Sequence, residues 1–185
     1  MTLGTVRSNG IDIAYEAVGE GPPLVMIMGI GAPMVQWPEG FYRAVVDHGF
    51  RAIRFDNRDV GRSSRMNHLG VPPVHRAMAR RVLGRRVEAP YRLEDMADDV
   101  AGLLDGLRLE SAHVIGASMG GMIAQTFAFR HPDRTRSLTS IMSCTGSRLD
   151  SVGRPRALAA ITRKAPTQGE AAVQHMVHVL RTIGS

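Results

Sequence analysis

Ala112-His113-Val114-Ile115-Gly116-Ala117-Ser118-Met119-Gly120-Gly121 decides how the rest of the chain is understood. A short apolar run leads directly into a serine flanked by glycines two positions away on each side, and a helix-length segment follows over residues 119–129. G-x-S-x-G in a strand–turn–helix context holds a serine on a tight, strained turn, with the hydroxyl projecting above a sheet. The glycines let neighbouring backbone approach closely, and the Met119 amide opens a helix whose positive end suits a developing negative charge. The same glycines also suit the phosphate-binding turn of a dinucleotide fold. That turn belongs after the first strand, with an acidic residue about 20 positions on. Here three apparent strands come first, and the acidic candidate, Asp133, follows a helix.

Working outward, Leu24-Val25-Met26-Ile27-Met28 is a continuous apolar run, the signature of a strand covered on both faces. Ile11 to Tyr15 alternates apolar and polar residues, a turn spans Val18 to Pro23, and Gly29-Ile30-Gly31-Ala32-Pro33 forms a glycine-rich loop. Residues 41–48 are expected to be helical, and 51–55 a strand. Leu93, Met96, Val100, Leu103, Leu104 and Leu107 recur at helical spacing, with Glu94, Asp95, Asp98 and Asp99 loading the early turns. A last strand is expected over 137–142. Strands alternating with helices predict an α/β fold, a mostly parallel sheet with helices on both faces. Residues 64–91, rich in Pro and Arg, and 147–185, helical but polar, stand outside the alternation.

At 185 residues, with 44% hydrophobic and 22% charged residues, the composition excludes a disordered tail, a collagen-like repeat and a disulfide scaffold. Cys144 has no intrachain partner, and no run reaches the roughly 18 apolar residues of a membrane span. Residues 1–15 lack the pattern of a signal peptide, so a cytoplasmic location is expected. The net charge of +6 comes almost entirely from arginine, Lys164 being the sole lysine. Arg76, Arg80, Arg81, Arg85, Arg86 and Arg92 cluster in one stretch. Without interleaved aromatics or a recognisable nucleic-acid motif, a solvated face explains them better than nucleic-acid binding.

Three blocks, in order, resemble the α/β-hydrolase superfamily over residues 1 to about 146, most closely its esterase and haloperoxidase-like branch of aclacinomycin methylesterase type. They are Met28 to Met34 with Trp37-Pro38, Asp56-Asn57-Arg58-Asp59-Val60-Gly61-Arg62-Ser63-Ser64, and Gly116 to Gln125. The resemblance implies a cofactor-free hydrolase of small-molecule carboxylic esters, with Ser118 as nucleophile and the Met119 and Ile30 amides as oxyanion donors. Gly31 is the lesser candidate for the second donor. Met28-Gly29 stands where the family commonly has His-Gly, a change a backbone donor tolerates. Asp56 and Arg58 belong to a block that in this family mostly braces loops near the site. Perhydrolase or haloperoxidase activity would use the same residues, whereas dehalogenases and epoxide hydrolases carry an aspartate where this chain has Ser118.

A serine nucleophile needs a histidine base and an orienting carboxylate, which in this fold follow it in the order acid, then His. Glu170, His175 and His178 have that order but share one helix-like segment, and surface histidines explain the H-x-x-H better than a metal site. The other histidines are not placed like the family's catalytic one. The triad's acid and His are therefore expected beyond Ser185, with 147–185 the start of an incomplete helical cap and the sheet stopping after its sixth strand. The alternative is an inactive fragment or a partner-binding remnant, self-associating through the exposed sheet edge. Met34, Trp37 and Met119 favour a hydrophobic ester.

Overall fold

The computed structural model describes residues 1–70, 77, 80, 83–85, 87, 89–145, 159–160 and 169–183. Much of the arginine cluster (Arg76, Arg81 and Arg86), His75 and most of the expected cap segment lie outside the described residues. The chain divides into two units, Met1–Ser143 and Cys144–Ser185, a division three residues before the expected one.

The first unit is built on a six-stranded mixed sheet, in the order β1-β2-β4-β3-β5-β6. Its strands are β1 (Thr2–Ser8), β2 (Ile11–Val18), β3 (Pro23–Ile27), β4 (Arg51–Phe55), β5 (Ala112–Ala117) and β6 (Thr135–Ile141). The last four pair in parallel, while β2 runs antiparallel to both β1 and β4. Helices α1 (Glu39–Asp47), α2 (Leu93–Gly106) and α3 (Met119–Arg130) connect them.

β1 lies ahead of the first strand expected from the sequence, so four strands, not three, precede β5 and the Ser118 turn that ends it. It forms a hairpin with β2 across Asn9 and Gly10, both at positive φ, the asparagine–glycine pair that a tight hairpin turn favours.

The direction of each crossover explains the layers. The chain leaves β3 for β4 on one side through α1, then returns past β3 to β5 and continues the same way to β6 through α2 and α3. Right-handed crossovers in opposite directions put their helices on opposite faces. Val25 and Ile27 of β3 pack with Met96, Val100, Leu104, Ile123 and Phe127 of α2 and α3. Met26, one residue out of phase, packs with Trp37 and Tyr42 on the α1 face. The apolar run 24–28 thus serves two cores by simple alternation.

Two buried ion pairs sit beside these cores. Arg54 Nη2 donates to Glu16 Oε1 and Oε2 at 2.9 and 3.1 Å, the two residues standing opposite in the β2–β4 register. The guanidinium lies 4.0 Å from the Tyr42 ring centroid. Burial, reinforced by Glu16, pushes the Tyr42 phenol well above its ordinary range. The second pair, Arg58 with Asp99, belongs to the site.

In the second unit, α4 (Gly169–Ile183) carries Glu170, His175 and His178. No helix among the described residues is long and apolar enough to cross a membrane.

Candidate active site

The reversal of direction at β3 opens a crevice at the carboxyl ends of β3 and β5, the place where open α/β sheets bind ligands. Two of the segments singled out in the sequence meet there. β5 runs as far as Ala117, and Ser118 follows as the cap of α3 with φ 55° and ψ −122°. A non-glycine residue in that region is strained by roughly 1–3 kcal/mol and persists only where the surroundings enforce it.

The surroundings here are backbone. A Cβ on Gly116 would sit 2.1 Å from the Gly120 carbonyl oxygen, and one on Gly120 would sit 2.2 Å from the Ile27 carbonyl oxygen. The glycines therefore let the first turn of α3 press directly against the ends of β5 and β3. The Ser118 N–H donates to the Ile141 carbonyl of β6 at 2.8 Å, and the Ser118 carbonyl accepts from Gly121 N–H at 2.9 Å.

The Ser118 side chain is exposed, and its hydroxyl makes no capping bond to α3. No acidic residue occupies the first turn of α3, so the helix presents its positive end without a counter-charge of its own. Among the described residues the Met119 N–H has no hydrogen-bond partner.

The glycine-rich loop after β3 runs alongside. A Cβ on Gly29 would lie 3.3 Å from Ser118 Cβ and 3.7 Å from its Oγ, so Gly29 keeps open the space beside the hydroxyl. The loop turns on itself: Ala32 N–H donates to the Gly29 carbonyl at 3.3 Å, with Gly31 at φ 66°. Ile30 lies between them, 67% exposed.

The third block, after β4, is a buried hydrogen-bonded frame. Asp56 Oδ1 accepts from Met34 N–H at 2.7 Å and Oδ2 from Arg62 N–H at 2.9 Å. Gly61 has no room for a side chain, since its Cβ would lie 2.0 Å from Asp56 Oδ2. Arg58 makes a two-point contact with Asp99 of α2, with both distances 2.7 Å, and sits 5.1 Å from the Tyr91 ring centroid. Burial pushes the Asp99 carboxyl up against the pull of Arg58. Burial alone would lower the Arg58 guanidinium, but the Asp99 hydrogen bonds hold it above its ordinary value. Burial, with Asp59 alongside, pushes the Tyr91 phenol up to about 12. Asp56 thus braces the 28–34 loop and its own, and Arg58 ties its loop to α2, bracing contacts of the kind expected of this block. Sequence reasoning missed Asn57, whose Nδ2 donates to the Met28 carbonyl at 2.9 Å.

The described histidines of this unit are otherwise occupied or distant in the chain. His113 Nδ1 contacts Ser137 Oγ at 2.8 Å, His131 Nε2 contacts Asp98 at 2.9 Å, and His48 Nδ1 contacts the Ala44 carbonyl at 2.7 Å. Asp98 also receives Arg130. Burial works to raise its carboxyl, but the hydrogen bonds from Arg130 and His131 prevail and hold it below its ordinary range.

Residues 22–164 match the α/β hydrolase fold family. Over 144 residues, 77% of this chain and 42% of the relative, the chain is 34% identical to rhodomycin D methylesterase DnrP of Streptomyces peucetius. Over 122 residues, 66% of this chain and 29% of the relative, it is 30% identical to epoxide hydrolase B of Mycobacterium tuberculosis. The match thus spans less than half the length of either. Among solved structures, a meta-cleavage product hydrolase from Pseudomonas fluorescens IP01 superposes with a TM-score of 0.70, covering 96% of this chain and 55% of that one. At 22% identity that likeness concerns the fold alone.

Proposed function

The chain belongs to the α/β hydrolase fold family, and on that premise we propose that it acts in the hydrolysis of an uncharged, hydrophobic carboxylic ester through Ser118. The Ser118 hydroxyl attacks the acyl carbon, forming the Oγ–C bond as its proton passes to an imidazole base. The carbonyl oxygen takes up the negative charge and is held by the Met119 and Ile30 amides. Collapse breaks the bond to the alkoxide, which leaves with the proton from the imidazole. Water, activated by the same base, then releases the acid and restores the serine.

The observation that carries this reading is an exposed serine on a strained turn, with its hydroxyl unused as a cap, at a helix N-terminus without an acid. The methylesterase likeness supports an ester substrate. A serine at 118 argues against the aspartate chemistry that the epoxide hydrolase likeness would bring. Among the described residues no imidazole is bonded to Ser118, and the family's order puts acid and base later in the chain. We place them beyond residue 185.

The test is Ser118→Ala in the full chain, assayed on p-nitrophenyl esters of graded acyl length. Turnover should fall by about 10³-fold or more while the far-ultraviolet spectrum and melting temperature hold. Unchanged turnover would overturn the reading.

A further inference from the structure

Asn57 is almost completely buried, 2% exposed, at a point where the protein has no need of a polar side chain for solubility. Among the described residues its side-chain amide has one hydrogen-bond partner, the Met28 carbonyl at 2.9 Å. Only the NH2 side of the amide can face a carbonyl, so the contact has a fixed sense. We infer that Asn57 is a positioning residue, gripping the Met28 carbonyl so that the Ile30 N–H is aimed into the space beside Ser118. The inference rests on the reading of Ser118 and Ile30 given above.

The geometry follows from planar peptides. No peptide bond in the described chain is cis, so each N–H points opposite to the carbonyl of the same peptide unit. The Met28 carbonyl is held by Asn57, and the next carbonyl, that of Gly29, is held by Ala32 N–H. With two successive carbonyls fixed, the Gly29–Ile30 peptide plane cannot rotate, and the Ile30 N–H points out of the turn. That amide has no hydrogen-bond partner among the described residues. Asp56 fixes the far end of the same loop at Met34 N–H. Adjacent residues, Asp56 and Asn57, thus hold one loop at both ends, one by accepting and one by donating.

Without the Asn57 grip, the Met28–Gly29 plane is free to turn and the Gly29–Ile30 plane keeps only the long 3.3 Å contact from Ala32 N–H, and a donor displaced by about 1 Å can cost about 10²-fold in rate. Loss of an oxyanion donor's aim acts on the transition state, not on ground-state binding. The discriminating experiment compares Asn57→Ala, Asn57→Asp and Ser118→Ala in the full chain by steady-state ester hydrolysis, with melting curves alongside. Asn57→Asp is nearly isosteric and turns an oxygen towards the Met28 carbonyl, so it tests the donor if the alanine variant is unstable.

Each folded Asn57 variant should lose about 10–100-fold in kcat with KM within about twofold. Retained kcat in either variant, or kcat and KM moving together, would overturn the inference. So would failure of both variants to fold, which would make Asn57 a folding residue. If Ser118→Ala itself keeps its activity, the parent reading falls. If Ser118→Ala is inactive while the Asn57 variants are unaffected, only the positioning role falls.

Discussion

Helices α2 and α3 pack side by side on one face of the sheet, and their first turns are built differently. α2 begins with Glu94 and Asp95, and Asp95 Oδ2 accepts the Arg92 N–H at 2.7 Å. Its positive end is answered from within its own sequence. α3 begins Met119-Gly120-Gly121-Met122, with no acid in the first turn and a serine cap that makes no capping bond. Its start is fixed by backbone packing against β3 and β5, and among the described residues its Met119 amide stays unanswered. Under the proposed function, the difference separates a helix end that serves stability from one kept available for a developing negative charge.

Three substitutions test that contrast, the largest effect first. Gly120→Ala forces a Cβ to within 2.2 Å of the Ile27 carbonyl oxygen. Neither partner is a flexible side chain, so about 3 kcal/mol of stability should be lost in urea unfolding. A tolerated alanine would mean that α3 is not held by contact with β3. Ser118→Gly relieves the positive φ at the cap and should stabilise the fold by about 1–2 kcal/mol while ending hydrolysis. A lower melting temperature would show that the serine stabilises its own turn, and the contrast with α2 would collapse. Asp95→Ala removes the α2 cap and should cost about 1 kcal/mol with kcat unchanged. A cost near zero would make the two helix ends equivalent.

Much of the fold is legible in the sequence. The apolar run 24–28 predicts a strand covered on both faces, and the structure puts Val25 and Ile27 in one core and Met26 in the other. The glycines around Ser118 and in the 29–33 loop marked close backbone approach, and the structure brings Gly29 against Ser118. β1 is also legible in the sequence, in its Asn9-Gly10 turn between the paired runs. The polar frame was harder. Arg58 meets Asp99 across 41 residues, and Asn57 meets Met28 across 29. Such contacts have no period and no fixed spacing, and they exist only once β3, β4 and α2 are assembled. Glu16 and Arg54 likewise become partners only through the antiparallel register of β2 on β4.

β6 is exposed along most of its length, and its last residue accepts the Ser118 amide hydrogen. The serine is thereby tied to the least covered strand of the sheet, not only to the well-packed β5 that precedes it. Exchange of one amide proton for deuterium at Ser118 therefore reports on the docking of β6 as a whole. A molecule that paired with the β6 edge would slow that exchange, while one that pulled β6 away would loosen the turn without touching the crevice.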